Sequence, residues 1–472
     1  MRACADLLTA KRLWGLQSAV MVLWSGNLDC IRHILLAGYS GTGRPPCDPA
    51  AMCRTWLLAT ILGETSPMHW AGRLRTDALL AVLSGFDPAD TPGASTLRDF
   101  MTRLTRQMRR RDRVHRPHRK RGKGPGKGKK QPLRRPDLLQ RLSARLPRFS
   151  RGDEGPLQQM LAAIAHASAE RGLIDLGHLS IAGDSTVLVS HANSFGRRTC
   201  SCPRDTECSH GRRFSDPDAN WGWDSSRGIW VWGPRFYEIT AAGARHDLPL
   251  YIRSVSADRH DGISWLLAYT DMRTYCTDAH LFRAILDAAH DAGAIYDQLE
   301  RHGLQAIIDV NPAHNPTTPV VLSPAGIPLC ACGQPMAPDG SSRGRPKFVC
   351  PRKRKRRQPG TDAPCPGIIY ISGSSAFRAH PGLARGTEAW RLAYHPRTCT
   401  ERSHSRKRNV FGQTACRRRG RPARTAHYFF AAFAQHLTAW AAEAHLRIES
   451  VFRELLGPYL PDLLKVSRTL VA

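Results

Sequence analysis

The sequence predicts an α/β protein in which an N-terminal helical region precedes a mixed sheet flanked by helices. Two patterns indicate this class. Residues 1 to about 110 carry apolar side chains at three-to-four spacing, broken by Gly and Pro turns, as amphipathic helices do. Further along, short apolar runs that lead to an aspartate alternate with helix-like segments, which favours a sheet covered by helices. At 472 residues the chain is long enough for two or three domains.

The first predicted domain covers residues 1–108. Its clearest helical segments are LLATILGETS, DALLAVLSGF and STLRDFMTRLTRQM. Ser95 or Thr96 is placed to cap the last of these helices, just after the Pro92-Gly93 turn. The pattern alone indicates an amphipathic helical bundle, and a structural role fits it as well as contact with DNA does.

Residues 109–136, RRRDRVHRPHRKRGKGPGKGKKQPLRRP, change the character of the chain. Gly, Pro and closely spaced cations oppose a packed core, so this segment is predicted to be a flexible basic linker. It suits non-specific binding to phosphate groups, and a solvated tether is the alternative.

Residues 137–472 are predicted to form the α/β domain. Its first strand runs from Leu179 to Asp184, and residues 229–242 and 248–261 are rich in aromatic or β-branched residues. A helix is expected from about Ser264 to Tyr275. A strand that ends before Asp287 and another over residues 307–310 then complete the sheet.

The segment 394–408, YHPRTCTERSHSRKR, has the most specific pattern in the chain. Tyr394, Arg397, Glu401 and Arg408 are separated by three, four and seven residues, so on one continuous helix they share a face. A carboxylate among cations suits a hard divalent ion that must also handle phosphate oxygens. A salt-bridged surface helix also accounts for the Glu–Arg spacing taken alone.

This spacing resembles the Tyr-Arg-Glu-Lys signature of DDE transposases from bacterial insertion sequences, with Arg408 in place of the usual Lys. The resemblance implies a ribonuclease-H-like core with three catalytic carboxylates. Asp184, in LSIAGDSTVLV, matches the family's first Asp-x-Thr motif, and Asp287 matches the second motif. In the second motif Ala289 and His290 stand where Gly and Tyr are usual, and Asp291 takes the trailing position.

The N-terminal region is also similar to the corresponding domain of these transposases, from GRPPCDPAAMCRTWLLATILGETS to SGFDPADTPGASTLRDFMTRL. That domain is associated with end recognition and dimer contacts. The resemblance therefore implies double-stranded DNA partners, namely transposon ends and target, and a homodimer assembled on DNA.

The implied reaction is nicking at the transposon ends followed by strand transfer into target DNA. Asp184, Asp287 and Glu401 are the implied ligands of two Mg²⁺ (or Mn²⁺) ions, while Tyr394, Arg397 and Arg408 position phosphate. Paired divalent ions activate the attacking oxygen and stabilise the leaving oxygen of an in-line displacement. Oxygen ligands suffice for such ions, so no His or Cys is needed.

The charge of the chain agrees with a nucleic-acid partner. Lys and Arg number 69 and Asp and Glu 39, which gives 69 − 39 = +30. Ribosomal, RNA-binding and membrane-surface proteins are equally basic. The run RRRGRPAR at 417–424 is predicted to contact phosphate. The sequence indicates no transmembrane helix and no signal peptide, so a cytoplasmic, nucleoid-associated location without membrane contact is expected.

Fourteen cysteines suggest metal ligands rather than disulfides in such a protein. One group lies in a predicted insertion at about 312–385, beside the run RKRKRR, and suits a structural Zn²⁺, with unligated thiols as the alternative; its members are Cys330, Cys332, Cys350 and Cys365. A second, shorter group has the spacing of a metal knuckle and comprises Cys200, Cys202, Cys208 and His210.

Several alternatives stay open at this stage. Asp261 is expected at the end of a strand, where it would have an accessory role, and Glu449 is the alternative to Glu401 as the third carboxylate. Four tryptophans are expected to pack in the core or to stack on an extruded base: Trp221, Trp223, Trp230 and Trp232. A catalytically inactive, zinc-bearing DNA-binding protein and a nuclease without strand transfer remain alternative functions.

Overall fold

The three-dimensional description comes from a computed structural model of the 472-residue chain. The structure describes residues 10–40, 42, 45–116, 138–146, 152–203, 209–224, 227–311, 323, 327–330, 332–342, 345–354, 367–370, 383, 385 and 387–444.

Six helices form the N-terminal part of the described chain: α1 (Ala10–Ser25), α2 (Asp29–Leu36), α3 (Pro49–Ile61), α4 (Pro67–Thr76), α5 (Ala78–Ser84) and α6 (Ala94–Leu104). Asp48, Ser66 and Asp77 cap α3, α4 and α5 with side-chain oxygens that accept hydrogen bonds from backbone N–H groups. The predicted helical character is confirmed. The predicted cap of the last helix is wrong, because α6 begins at Ala94 after Gly93 and has no side-chain cap bond.

The remaining elements, in chain order, are β1 (Val114–His115), α7 (Leu138–Ser143), α8 (Gly155–Glu170), β2 (Leu179–Val187), β3 (Arg197–Arg198), β4 (Arg212–Arg213), β5 (Asn220–Asp224), β6 (Ile229–Gly233), β7 (Arg235–Ala242), β8 (Pro249–Val255), α9 (Asp261–Met272), β9 (Leu281–Leu286), a 3₁₀ turn (Ala288–His290), α10 (Gly293–Arg301), β10 (Gln305–Ile308), β11 (Ala337–Ser342), β12 (Arg345–Val349), α11 (Pro351–Arg354), β13 (Ile368–Tyr370), α12 (Glu388–Tyr394), a second 3₁₀ turn (His395–Arg397), α13 (Thr398–Asn409) and α14 (Arg421–Glu443).

The largest sheet has five strands in the order β10-β9-β2-β7-β8. β2, β9 and β10 are parallel to one another, whereas β7 is antiparallel to both β2 and β8. The predicted strands are confirmed, although residues 229–242 form two strands, β6 and β7, instead of one. This arrangement places the carboxyl ends of β2, β9 and β10 at one edge of the sheet.

Two apolar clusters cover the two faces of this sheet. Successive residues of β7 point to opposite faces, so Phe236 packs with the N-terminal helices, α8 and α14, and Tyr237 packs with α9 and α10. The apolar helix α14 is buried along most of its length. The N-terminal helices and the α/β region therefore share one continuous core through α14.

Three smaller sheets surround the central one: β1-β4-β3, the hairpin β5-β6, and β11-β12-β13. The first includes the start of the predicted flexible linker. Arg109 and Arg111 donate their backbone N–H groups to Asp153 (2.9 Å) and Asp218 (3.2 Å), and β1 follows directly. Residues 109–116 are thus ordered by backbone hydrogen bonds, while residues 117–136 lie outside the described part of the chain.

Within the described residues, no single helix has both the length and the apolar composition needed to cross a bilayer. The consecutive segments Leu16–Ser25 and Asp29–Leu36 meet those two criteria only as a pair bent by 82°.

Candidate active site

Asp184 and Asp287 are brought together by two adjacent parallel strands. Gly183 of β2 pairs with Leu286, the last residue of β9, so the residue that follows in each strand is one of the two aspartates. The prediction that this strand ends at Asp184 is wrong: β2 continues to Val187, and its last residues pair with β7 alone. Asp184 therefore lies where the pairing with β9 stops and its carboxyl group becomes accessible from that edge.

The local sequence around Asp184 is fixed by tight packing. A Cβ atom on Gly183 would lie 2.6 Å from the Tyr237 hydroxyl and 2.9 Å from the Trp265 ring. Because successive strand residues point to opposite faces, Gly183 and Ser185 face α9, and Asp184 faces α13. The absence of a side chain at residue 183 lets α9 approach β2 directly beneath the acidic site.

The electrostatics of Asp184 are unfavourable for its charged form. Burial, followed by the nearby carboxylates of Asp261 and Asp287, raises the pKa of Asp184 to about 7. A bound cation would relieve this repulsion. A raised carboxyl pKa between two other acids is typical of functional sites, although structural networks also produce it.

Asp287 is held by His290, the residue that stands where the second motif of the family usually has Tyr. His290 is fully buried; its Nδ1 lies 2.5 Å from the Asp287 carboxylate, and its Nε2 lies 2.7 Å from the Tyr237 hydroxyl. Burial acts to raise the pKa of Asp287, but the charge and hydrogen bond of His290, together with Arg397, lower it below its usual value. His290 therefore fixes the orientation of Asp287.

Asp291, the alternative second carboxylate, has a different environment. It is buried and accepts hydrogen bonds from the Tyr296 hydroxyl (3.1 Å) and from the backbone N–H of Asn311 (2.9 Å). These contacts tie the end of β10 to α10. The geometry thus assigns Asp291 a structural role and leaves Asp287 beside Asp184.

Glu401 lies on α13, but its motif is not a single helix. Tyr394 ends α12, Arg397 lies in the 3₁₀ turn, and α13 starts at Thr398, so the prediction that all four residues share one continuous helical face is wrong. Pro396 explains the break, because its ring removes an N–H donor and restricts the backbone.

The first three motif residues still contact one another across this break. Arg397 Nη2 lies 2.9 Å from Glu401 Oε1, and the Arg397 guanidinium carbon lies 5.5 Å from the centre of the Tyr394 ring. Burial and the charges of Asp309 and Asp287 outweigh the effect of Arg397 and raise the pKa of Tyr394 to about 12. The charges of Asp184 and Asp287 also interact with that of Arg397.

Arg408 lies two turns beyond Glu401 on α13 and is half-buried. Its charge acts on His404 and Tyr428. The residue before it, Lys407, is fully buried, and its ammonium group lies 2.9 Å from the equally buried Glu238 carboxylate. Lys407 was missed in the sequence because it stands between two arginines in a segment that indicates a solvated basic face.

The pair formed by Lys407 and Glu238 is the centre of a buried polar network. Lys407 donates to Ser403 (2.6 Å) and Gln435 (3.0 Å), and Tyr428 donates to Glu238 (3.3 Å). Glu238 pairs directly with Asp184 across β2 and β7. The network therefore joins α13, which carries Glu401, to the strand beside Asp184.

Asp261 also belongs to the acidic site, but not as a strand end. β8 ends at Val255, and His260 caps α9, so Asp261 lies in the first turn of that helix. Its carboxylate accepts a hydrogen bond from the Ser185 hydroxyl and lies 3.2 Å from Nη1 of Arg235. The prediction of its location at a strand end is wrong, whereas its proximity to Asp184 makes it a further candidate residue.

The donor set fits a hard divalent cation. Asp184, Asp287 and Glu401 offer oxygen ligands, and Asp184 is destabilised as an anion in the absence of a neighbouring positive ion. The carboxylate oxygens of these three residues are not all within 4.8 Å of one another. The Glu401 side chain is 49 % exposed and is paired with Arg397.

Two cysteine-containing groups do have converged ligand atoms. The sulfur atoms of Cys330, Cys332 and Cys350 lie within 4.8 Å of one another, with 3.6 Å between the last two. Cys365, the predicted fourth member, lies outside the described residues. The backbone N–H of Cys350 donates to Gly367 (3.0 Å), which follows Cys365 by two positions.

The second converged group contains Cys200, Cys202 and His210, with 3.5 Å between the Cys202 sulfur and Nδ1 of His210. Cys208 lies outside the described residues, as do the alternative carboxylate Glu449 and residues 355–357 of the RKRKRR run.

The four tryptophans divide into two pairs. Trp221 and Trp232 pack edge to face with 5.6 Å between ring centres, as the packing interpretation predicted. Trp223 and Trp230 also contact each other, at 5.5 Å, but they are 46 % and 59 % exposed. Packing within the core therefore accounts for only one of the pairs.

Comparison with known proteins bears on the N-terminal helices. Residues 25–103 match the family model of a transposase domain (DUF772). No curated protein matches the chain. The match covers α2 to α5 and most of α6, within the region whose sequence resembles transposases. It supports a transposase-related protein with a function in transposition.

Proposed function

We propose that the chain is a DDE transposase that cleaves DNA at transposon ends and joins those ends to target DNA. The observation that carries this proposal is the position of Asp184 and Asp287 after paired residues of two parallel strands. Glu401 supports it through its ion pair with Arg397, on which the charge of Asp184 acts. The N-terminal transposase domain supports the same function. The proposed catalytic and metal-binding residues are Asp184, Asp287 and Glu401.

The core is proposed to be ribonuclease-H-like. Three features support this assignment: the strand order β10-β9-β2-β7-β8, the antiparallel orientation of β7 alone, and two acidic residues at the centre of the sheet. Residues 312–385 are proposed to form an insertion, since β11-β12-β13 is a sheet of its own between Asp287 and Glu401.

Mg²⁺ or Mn²⁺ ions, when bound by the three carboxylates, supply neutralising charge at the scissile phosphate and a more acidic attacking water. The residues of the chain supply the positioning. His290 keeps one Asp287 oxygen in place, and Asp261 and Arg235 restrain Ser185 beside Asp184. Arg397 is placed to bind a phosphate oxygen when Glu401 leaves its ion pair. Tyr394 and Arg408 are proposed to position the DNA backbone.

The proposed partners are two DNA duplexes, the transposon ends and the target, bound by a homodimer. A net charge of +30 supports binding to a polyanion. A structural Zn²⁺ is proposed at Cys330, Cys332 and Cys350, since three converged sulfurs match the ligands of closed tetrahedral sites. The proposed location is the bacterial cytoplasm, in association with the nucleoid.

Cleavage of duplex DNA that carries the inverted repeats flanking the gene tests this proposal. In Mg²⁺ or Mn²⁺, we expect strand nicking by the wild type and a loss of about a thousand-fold or more in Asp184→Asn, Asp287→Asn and Glu401→Gln, because metal ions contribute several kcal/mol of transition-state stabilisation. Glu388→Gln, an exposed carboxylate on neighbouring α12, is the matched control and should keep full activity.

The alternatives give different results in the same assay. DNA binding without cutting by any form, including the wild type, would support the inactive DNA-binding protein. Nicking without joined products in a strand-transfer assay would support a nuclease. The proposal also fails if the three substitutions leave the cleavage rate unchanged.

A further inference from the structure

The described ends of the connection between the short strands β3 and β4 are held together by contacts beyond the strand pairing. Each strand has two residues, and the connection between them spans residues 199–211. β1 adds a third strand of only two residues, so the strand pairing supplies few hydrogen bonds. Thr199 donates to the Gly211 carbonyl (2.6 Å), which closes the base of the loop. Cys200 and His210 are the next residues inside this hydrogen bond.

Cys200, Cys202 and His210 hold their ligand atoms within 4.8 Å of one another at this point. Two thiolates and an imidazole are the usual donors for Zn²⁺ in structural sites, whereas Mg²⁺ prefers oxygen. Zinc binding to such a group contributes directly to folding, because the unfolded chain lacks the assembled site. An ion bound by this group would therefore join residues 200–202, which follow β3, to His210, which precedes β4.

The hairpin carries an unusual concentration of like charge. Arg197 pairs directly with Arg213 and Arg198 with Arg212, an arrangement in which cations across a strand pair repel each other. None of the four guanidinium groups has a carboxylate within 4.0 Å among the described residues. Arg198 and Arg212 donate to backbone carbonyls at 3.1 Å, but Arg197 and Arg213 point to solvent.

Two further basic segments are hydrogen-bonded to Asp218, which follows β4 in the chain. Asp218 accepts hydrogen bonds from the backbone N–H groups of Arg111 (3.2 Å) and Arg421 (2.9 Å). β1, which pairs with β4, leads into the basic run that starts at Arg116. Arg417 and Arg419 are exposed on the segment before α14.

The rest of the run at 417–424 has a structural role. Arg421 pairs with Asp153, and Arg424 is buried and donates to the Cys416 carbonyl. The prediction that the whole run contacts phosphate is therefore wrong for these two residues, whose guanidinium groups are occupied by protein partners.

We propose that Cys200, Cys202 and His210 bind a Zn²⁺ ion, and that this ion holds the β3–β4 hairpin so that Arg197 and Arg213 contact the phosphate backbone of duplex DNA. The zinc site stands independently, and the DNA contact rests on the proposed function. The three described ligands carry the proposal; Cys208 lies outside the described residues. A polyanion is the partner that neutralises four adjacent arginines.

Zinc content measured by mass spectrometry on the full-length protein tests the site. We expect Cys202→Ser/His210→Ala to contain one zinc ion per chain fewer than the wild type. His210→Cys should keep that ion, because cysteine is also a zinc ligand. The variant Cys47→Ser changes an exposed cysteine that is distant from this group in the sequence, and it should lose no zinc. Equal zinc content in the wild type and the double variant would overturn the site. Cys350→Ser measures the other cysteine group separately.

The salt dependence of duplex binding tests the DNA contact. Each phosphate contact contributes about 0.9 to the slope of log K against log salt, so Arg197→Gln/Arg213→Gln should reduce the slope by about 2. The zinc-deficient double variant should show a similar reduction. Arg245→Gln/Arg301→Gln, which removes two other arginines, should not. A wild-type slope in the zinc-deficient variant would refute the proposed contact.

Failure of the transposase proposal is distinguishable from failure of this one. If no form of the protein cuts DNA but zinc loss still reduces the slope, the zinc-dependent surface stands and the catalytic assignment fails. If Asp184→Asn abolishes cutting while zinc-deficient protein keeps wild-type binding, the catalytic assignment stands and the surface is rejected.

Discussion

Asp184 and Glu238 occupy paired positions on β2 and β7, yet their surroundings are opposite. Glu238 is fully buried, but Lys407, Ser403 and Tyr428 all contact it. Burial acts to raise the pKa of Glu238, but the charges of Lys407 and His404, together with hydrogen bonds from Ser403 and Lys407, outweigh it, so that the pKa is lowered. Asp184 has acidic neighbours instead, and its pKa is raised to about 7.

We call Glu238 an anchor, because its partners hold α13 against the sheet, and Asp184 a candidate site residue. A buried carboxylate with a complete set of partners stabilises one arrangement of α13 against the sheet. A carboxylate set among other carboxylates lowers stability, and such an arrangement is typical where a cation or substrate supplies the missing charge. The charges of the neighbouring groups, more than burial, therefore distinguish these two carboxylates and favour Asp184 as the candidate site residue.

The largest expected effect comes from breaking the anchor. Lys407→Met leaves Glu238 buried without a cation, and we expect the free energy of unfolding to fall by about 3–5 kcal/mol. Urea denaturation of the full-length protein measures this change. Arg406→Met, the preceding cation, should cost less than about 0.5 kcal/mol, as surface substitutions usually do.

The double variant Glu238→Gln/Lys407→Met sharpens the test. It removes both charges, so it should be more stable than Lys407→Met alone. A loss below about 1 kcal/mol in Lys407→Met would contradict the anchor role, because a buried unpaired carboxylate costs more than that.

The sequence predicted the strands around Asp184 and Asp287 well, because apolar runs and their terminal acids are local signals. The motif spacing predicted the contacts among Tyr394, Arg397 and Glu401, which persist across the break in the helix, while the assignment of Glu401 as the third carboxylate stays a prediction. The sequence could not predict Lys407, since burial of a lysine between two arginines depends on a strand far away in the chain. The convergence of Asp261 on Asp184 depends on how α9 packs beneath Gly183, which no local pattern records.

A smaller effect of opposite sign is expected at Asp184. Asp184→Asn removes the repulsion among the carboxylates, so in magnesium-free buffer at pH 8 it should raise the free energy of unfolding by about 1–3 kcal/mol. The sign follows from the pKa. Because the pKa is about 7 in the folded state against 3.8 as the ordinary value, the folded wild type binds more protons between these values and loses stability as pH rises.

The gain in Asp184→Asn should therefore be close to zero near pH 4 and largest above pH 7. Thermal denaturation at several pH values measures the difference between the two proteins. Asp278→Asn, an exposed carboxylate, provides the control and should give no such pH-dependent gain. If Asp184→Asn destabilised the protein at pH 8, Asp184 would be an anchor like Glu238 and the contrast between the two would disappear.

The smallest expected effect concerns magnesium itself. A ligand that binds only the folded state stabilises it by RT ln(1 + [L]/Kd), which is about 1 kcal/mol at several times Kd. We expect that gain in the wild type and none in Asp184→Asn or Asp287→Asn. Glu401→Gln should keep part of it, because Glu401 is half exposed and already paired with Arg397. Melting temperatures with and without Mg²⁺ measure these gains. An equal rise in the wild type and Asp184→Asn would mean that the ion binds elsewhere, and that the unbalanced charge around Asp184 serves a purpose other than metal binding.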